Sequence, residues 1–338
     1  MKTGDQKRVL LAGGAGFIGS HLCDRILARS DVSLLVCVDS LWTGTVENIS
    51  HIRDQRFRFE RCDVEDFRSD VTFDEIYHLA SPASPPWYMA EPRRTISANL
   101  LGALRLLDLL GEGGRFGYAS TSEVYGDPLV SPQPETYRGS VDCTGPRSAY
   151  DEGKRVTEAL LFETRRTRGL DLRVARLFNA YGPRTREDDG RAVSNFITQG
   201  LSGRPLTVFG DGAQSRSWGY IDDIIDGIQG YFWGYEFDYD GPLNIGSDDE
   251  VPVIEIARHV SDLLGGCEIV HVAPPPQDPS NRCPDLTRAR EILPGWRCQV
   301  DYREGVARTL KWFSERDMNR GTASAWGRDG ATRAADDH

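Results

Sequence analysis

Val9-Leu10-Leu11-Ala12-Gly13-Gly14-Ala15-Gly16-Phe17-Ile18-Gly19 sets an apolar run, a glycine turn and the start of a helix in direct succession. The run Val9–Ala12 reads as a buried parallel strand, and Phe17, Ile18, Leu22, Ile26 and Leu27 recur at helical spacing. Gly13 permits the tight turn, Gly16 lets backbone amides approach a pyrophosphate, and Gly19 lets the helix lie close to the sheet. The helix start then meets the anion with unpaired N–H groups and a positive dipole end. Further on, the strand-like Leu34–Val38 ends in Asp39, placed to accept both ribose hydroxyls of an adenosine. A carboxylate there repels a 2′-phosphate, so the expected cofactor is NAD rather than NADP.

A chain of 338 residues can bury a large core and is expected to form two lobes. Its formal charge of −11 argues against nucleic acid or an anionic membrane as partner, while leaving room for an anionic small molecule in a locally basic pocket. The seven cysteines (23, 37, 62, 143, 267, 283 and 298) are scattered without a CxxC pair, which suits a reducing compartment. Cys37 and Cys62 read as strand core residues, and the six histidines are dispersed, so no metal site is expected. No apolar leader or membrane-length run is present, and a soluble, cytoplasmic protein is expected. Lysine is confined to Lys2, Lys7, Lys154 and Lys311, which makes Lys154 conspicuous among the arginines.

Strand-like runs at 8–12, 34–39, 57–62, 75–80, 115–120 and 172–178 alternate with helical patterns at 17–29, 95–111 and 148–168. That alternation predicts an α/β fold, a doubly wound parallel sheet of Rossmann type. Residues 1–178 form the dinucleotide lobe, with a return near 220–247. Residues 179–317 form a smaller α/β substrate-binding lobe, with short helices near 192–201, 253–264 and 285–292 and a strand at 206–209. Pro274–Pro276 and 278–285 read as loops, and 318–338 as a disordered tail. Leucines at 100, 101, 104, 106, 107, 109 and 110 make the pattern 95–111 apolar nearly all round, so it needs cover on two sides. A homodimer through 95–111 and 148–168 is expected.

Tyr150-Asp-Glu-Gly-Lys154 places a phenol and an ammonium one helical turn apart on one face. A lysine beside a tyrosine lowers the phenol pKa and makes it usable as a base near neutrality. Alone, the pattern suits a solvated helix face; behind a dinucleotide motif it points to proton transfer. Ala119-Ser120-Thr121-Ser122-Glu123 lies just past the fifth strand, where such sheets bind ligands. Thr121 could hydrogen-bond a sugar hydroxyl beside the phenol, and Glu123 is a carboxylate aimed into the cleft.

From Arg8 to Phe313 the chain resembles the extended short-chain dehydrogenase/reductases acting on nucleotide sugars, the NAD-dependent epimerase/dehydratase family. Within it, the chain is most similar to the UDP-glucuronic acid decarboxylases (UDP-xylose synthases). The resemblance rests on His78-Leu-Ala-Ser-Pro-Ala-Ser-Pro-Pro86, Ser120–Asp127, Gly145-Pro-Arg147, Tyr150–Arg155, Asp189-Gly-Arg191, Val193–Phe196 and Gln214-Ser-Arg216. It implies that Tyr150 takes the proton of the sugar 4-hydroxyl while C4 gives hydride to NAD⁺. The resulting β-keto acid loses CO2, C5 is reprotonated and C4 is reduced again. Ser122 stands where a 4,6-dehydratase carries an acidic Asp, and a 4-epimerase usually lacks Glu123. An epimerase or dehydratase of a neutral hexose, a variant releasing the 4-keto pentose with NADH, and an NAD-binding regulator remain the alternatives.

The resemblance further assigns Glu123 and Arg216 to the sugar carboxylate. Asn179, Arg191, Val193 and Asn195 fall to the nucleotide end, with Leu206–Phe209 (Thr207 among them) flanking the uracil. Arg282 reaches the ribose or phosphates, and Pro85 of the Ser-Pro run borders the sugar. On the cofactor side it places Trp42 and Thr43 over the adenosine, Asp63 and Val64 beside the adenine, and Leu79, Ser81 and Ala119 along the groove with Phe17 and Ile18. Lys154 can also hold the nicotinamide ribose. Trp42, Ser97 and Tyr181 depart from the family pattern, which has Phe, Lys and Phe at those places.

Overall fold

The structure, a computed structural model, describes residues 6–273 and 282–329, with side chains in the last helix through residue 316. In chain order the first half runs β1 (Lys7–Ala12), α1 (Phe17–Leu27), β2 (Val32–Val38), β3 (Phe57–Glu60), β4 (Phe73–His78), α2 (Pro85–Ala90), α3 (Pro92–Leu107), β5 (Leu110–Thr121), α4 (Ser148–Arg168) and β6 (Asp171–Leu177). The second half runs β7 (Ala180–Tyr181), α5 (Ala192–Leu201), β8 (Leu206–Phe209), β9 (Ser215–Ser217), β10 (Gly219–Tyr220), α6 (Ile221–Gln229), β11 (Leu243–Ile245), β12 (Glu250–Pro252), α7 (Val253–Leu263), β13 (Ile269–Val272), α8 (Thr287–Ile292) and α9 (Tyr302–Asp329).

One parallel sheet carries the order β3-β2-β1-β4-β5-β6-β11. Along β1 successive side chains enter opposite cores. Val9 and Leu11 pack with Leu22 and Ile26 of α1, whereas Leu10 and Ala12 pack with Leu106 of α3 and Leu161 of α4. That is why the run is apolar without alternation: both faces of the sheet are covered. The order reverses between β1 and β4, and the cleft opens at the carboxyl ends there. After β6 the chain crosses to β7–β10, then re-enters the sheet at β11. The parallel pair β8–β13 and the antiparallel pair β9–β12 complete the other side of the cleft.

Two expectations shift. The helix expected over 95–111 spans Pro92–Leu107, and Leu110 already opens β5. Leu109 and Leu110 are apolar because they enter the sheet core, not because the helix is apolar all round. What α3 leaves outside is a shorter stripe: Ile96, Leu101 and Leu104 are exposed. The tail expected over 318–338 is helical to Asp329, since a helix started by the apolar repeat Val306, Leu310 and Phe313 propagates at one hydrogen bond per residue. Residues 330–338, and the Pro274–Pro276 stretch with 278–281, lie outside the described residues.

At the amino-terminal end of the sheet, Glu75 is buried between Arg29 Nη1 (2.6 Å), Lys7 Nζ (2.5 Å) and the Tyr77 hydroxyl (2.6 Å). Burial alone would raise its pKa, but these donors outweigh it and hold the carboxyl at about 2. A depressed carboxylate contributes stability that is complete above its unfolded pKa and fades as pH falls through the folded value. Urea unfolding of Glu75→Gln against wild type should therefore show a gap of about 3 kcal/mol at pH 7 that closes between pH 4.5 and about 2. A gap independent of pH would refute this.

Candidate active site

The glycine turn is shaped by contact as much as by conformation. Gly13 has φ +85°, and a Cβ there would lie 2.7 Å from Ala80 N. A Cβ on Gly19 would lie 2.0 Å from the Gly13 carbonyl, so α1 packs directly onto the loop. At Gly16 an added Cβ meets only the Gly13 oxygen, at 3.2 Å, and otherwise faces the cleft. The Gly16 amide is used within the turn, donating to the Gly13 carbonyl at 3.2 Å, but no side chain caps the first turn of α1, so Phe17 and Ile18 present backbone amides to whatever enters. Asp39 closes this end: its Oδ2 accepts from Ala15 N at 2.9 Å and its Oδ1 from Leu41 N at 2.8 Å. Burial pushes its carboxyl up. An uncapped helix start over a cradle that side chains would fill, with a carboxylate at the next strand end, fits a dinucleotide diphosphate.

From this turn one cleft of about 590 Å³ runs along the carboxyl ends of the sheet strands. It brings every sequence-proposed residue together. Gly13, Gly16, Phe17, Ile18, Gly19, Asp39, Trp42, Thr43, Asp63, Val64, Leu79, Ser81 and Ala119 line one arm. Thr121, Ser122, Glu123, Tyr150 and Lys154 lie at the centre, and Pro85, Asn179, Arg191, Val193, Asn195, Thr207, Arg216 and Arg282 line the other arm. Within Leu206–Phe209 only Thr207 and Phe209 face it. Leu206 and Val208 are fully buried in the core, as strand alternation requires.

The centre sits where β5 ends against the first turns of α4. Thr121 Oγ1 accepts from Glu123 N at 3.2 Å and also hydrogen-bonds the Tyr150 phenol. Tyr150 is 4% exposed. The sequence expectation that Lys154 lowers the phenol pKa is corrected here. Lys154 Nζ lies 5.9 Å from the Tyr150 ring centroid and donates to the Ala119 carbonyl at 2.7 Å. Burial pushes the phenol up, opposed by the Thr121 hydrogen bond and, more weakly, by Arg191. Lys154 is itself lowered to about 7, because burial outweighs Glu158.

Glu123 is the most constrained group. Arg147 Nη2 and Arg282 Nη2 both reach its Oε2 at 2.6 Å, and Arg282 Nη1 bonds Oε1. Burial would raise this carboxyl, but the two guanidiniums hold it at about 2. Asp151 lies close behind on α4, lifted to about 7 by burial and by the Glu123 charge. Arg216, buried on β9, donates to the Ser215 carbonyl at 2.7 Å. Arg191 holds Asp189 at 2.5 Å, and Asn195 Nδ2 bonds the Gly190 carbonyl at 3.0 Å, which fixes the loop entering α5. Thr207 is held by Gln199 at 2.7 Å.

Sequence reading missed two contributors. Tyr88 of α2 stacks on Tyr150 with ring centroids 4.8 Å apart and planes 7° from parallel. The Arg147 guanidinium carbon lies 6.0 Å from the Tyr88 ring centroid while its Nη2 grips Glu123. Arg147 lay inside a quoted motif, and its place one turn before Tyr150 was the available signal. Tyr88 carried none, because its contact with Tyr150 is purely tertiary.

Residues 9–231 match the profile described as the NAD dependent epimerase/dehydratase family. The chain is 46% identical over 302 residues to UDP-glucuronic acid decarboxylase 5 of Arabidopsis thaliana, covering 88% of this chain and 87% of that protein. Among solved structures it is similar to a dTDP-glucose 4,6-dehydratase from Streptomyces venezuelae bound to NAD, with TM-score 0.82 and 29% identity over 93% of this chain and 98% of that one. It is also similar to a UDP-glucuronic acid 4-epimerase from Bacillus cereus bound to UDP-glucuronic acid and NAD. There the TM-score is 0.79 and the identity 26% over 91% of this chain and 99% of that one.

Proposed function

The chain belongs to the NAD dependent epimerase/dehydratase family, and on that premise we propose that it decarboxylates UDP-glucuronate to UDP-xylose with NAD recycled. The observation that carries this reading is the Glu123 cluster: two guanidiniums, Arg282 buried and Arg147 half-buried, face one ionised carboxylate. Asp151, held near 7, only partly offsets the excess positive charge. In a protein of net charge −11 that excess suits a substrate carboxylate beside the phenol. A neutral hexose gives it nothing to bind.

NAD, when bound, supplies reversible hydride acceptance at C4 and a cationic ring that favours the phenolate. Tyr150 takes the C4 hydroxyl proton, with Thr121 hydrogen-bonded to its oxygen and Tyr88 stacked to fix its plane. Lys154 holds the nicotinamide ribose. Arg282, expected at the ribose or phosphates, bonds Glu123 at the centre instead, so Arg147, Arg282 and Arg216 orient the C5 carboxylate, which becomes a β-keto acid once C4 is a ketone and leaves as CO2. Ser122 donates no proton in that step, because CO2 departs without one. Glu123, kept ionised, positions the sugar and a water that protonates C5. Tyr150 returns its proton to the C4 oxygen as C4 is reduced.

We assign the cofactor to the lobe of residues 1–178 with the return at 220–247, and the nucleotide sugar to 179–317. Asn179, Arg191, Val193, Asn195 and Thr207 would take the uridine diphosphate, and Pro85 the sugar edge. No described helix is long and apolar enough to cross a membrane, and we place the reaction in the cytoplasm, where seven unpaired cysteines stay reduced.

The assembly we propose is a homodimer through α3 and α4. Ile96, Leu101 and Leu104 of α3 and Val156 of α4 are 41–50% exposed on neighbouring helices. Sedimentation velocity should give a dimer for wild type and a monomer for Leu101→Glu/Leu104→Glu; a dimer in both would place the interface elsewhere.

Proton NMR of the purified enzyme with UDP-glucuronate and substoichiometric NAD tests the reaction. UDP-xylose without net NADH is expected. UDP-galacturonate, or intact UDP-glucuronate alongside turnover of dTDP-glucose, would overturn it.

A further inference from the structure

Three side chains from three separate elements meet at the adenosine end of the cleft. Trp42 follows β2, Asp63 follows β3, and Arg94 lies in the first turn of α3. The Arg94 guanidinium carbon lies 4.4 Å from the Trp42 ring centroid, and its Nη2 donates to Asp63 Oδ1 at 2.7 Å. All three line the cleft beside Asp39 and Val64. Arg94 and Asp63 are 35% and 39% exposed, so the chain of contacts crosses the rim and not the floor. The backbone leading to Trp42 is set for this. Leu41 holds φ +60°, a left-handed conformation uncommon for a branched residue, with its N–H donated to Asp39. The acid expected to take the ribose thus also fixes the turn that presents Trp42 to Arg94.

We propose that Trp42, Arg94 and Asp63 form a strap over the adenosine end that retains NAD through the whole cycle. Arg94, acting through Trp42, would thereby decide whether the sugar leaves as the reduced pentose or as its 4-keto form. The second half of the proposal rests on the decarboxylase reading. In that reaction C4 is oxidised before CO2 leaves and reduced only afterwards. Escape in between is a balanced reaction: C4 gives up a hydride and its hydroxyl a proton, C5 exchanges CO2 for a proton, and one NADH departs per 4-keto pentose. An oxidised sugar is completed only if the cofactor outlasts it. Each contact of the strap is individually modest, a guanidinium on an indole face and a partly exposed ion pair. Joined, they correspond to about a tenfold effect on release.

Stopped-flow release of bound NADH, followed by its own fluorescence, tests the strap without any sugar. Arg94→Gln, a good helix former at a surface position, should release NADH about tenfold faster than wild type, with Arg94→Lys in between. Because the contacts act as one unit, Arg94→Gln/Trp42→Ala should release no faster than Trp42→Ala alone. With UDP-glucuronate, the ratio of free NADH to UDP-xylose should rise in the same order. Unchanged release from Arg94→Gln overturns the strap, as does full additivity in the double variant. Faster release with an unchanged NADH ratio overturns its control of the product. Should wild type form no UDP-pentose, the decarboxylase reading fails, while the release rates still decide the strap.

Discussion

Tyr150→Phe should lower kcat for UDP-glucuronate by about a thousandfold while leaving the fold and cofactor binding intact. A positioned acid or base contributes roughly 10²–10⁴ in rate, and here one oxygen serves twice, as base at the C4 hydroxyl and as acid on the way back. The substitution removes only that oxygen. The ring keeps its stack on Tyr88 at 4.8 Å and its buried place against Thr121. Burial already holds the phenol above its ordinary value, so its neutral form dominates at pH 7 and loss of the oxygen leaves no buried charge unpaired. Single-turnover formation of the keto sugar, with NAD affinity measured in parallel, checks this. A loss below tenfold would move the base elsewhere.

Glu123→Ala should cost more in stability than any other single change in the cleft, and Glu123→Gln should separate that from catalysis. Alanine leaves buried Arg282 and half-buried Arg147 without their shared carboxylate, both guanidiniums having been within 2.6 Å of it. Breaking a buried pair in this way costs about 3–5 kcal/mol. Glutamine keeps the shape and an acceptor oxygen, so denaturant unfolding should show a smaller loss, while turnover falls by about a hundredfold. Because the carboxyl is held at about 2, its stabilising contribution is complete above about 4.5 and lost as pH falls through 2. The pH profile of wild-type turnover should accordingly carry no Glu123 limb between pH 5 and 8. Near-wild-type turnover in Glu123→Gln would remove the carboxylate from the mechanism.

Legibility of the fold in the sequence followed the length and regularity of each element. α4 over Ser148–Arg168 and α5 over Ala192–Leu201 have the limits their patterns predict, and Gly169 ends α4 in the left-handed conformation. β11, at Leu243–Ile245, is too short for any periodicity to show, and only its sheet neighbour β6 defines it. The end of α3 differs from its pattern because Leu109 and Leu110 are apolar in either element, and the turn between α3 and β5 is only the two residues Asp108 and Leu109, with Gly111, Gly113 and Gly114 already inside β5. In the cleft, motif residues were legible because their chemistry demands particular side chains at fixed spacing. Tyr88 and Arg94 were not, because they act through rings and charges that only the folded chain brings near, whereas Arg147 carried a signal in its place one turn before Tyr150. The charge state of Lys154 was hidden for the same reason: spacing puts it near Tyr150, but its hydrogen bond to Ala119 and its burial decide what it does.

The most direct test is the reaction run in D2O with substoichiometric NAD, read by NMR of the product. A recycled cofactor and a solvent proton at C5 predict UDP-xylose with one deuterium at C5 and protium retained at C4. Deuterium at C4, or a product that still carries its carboxylate, would contradict the account.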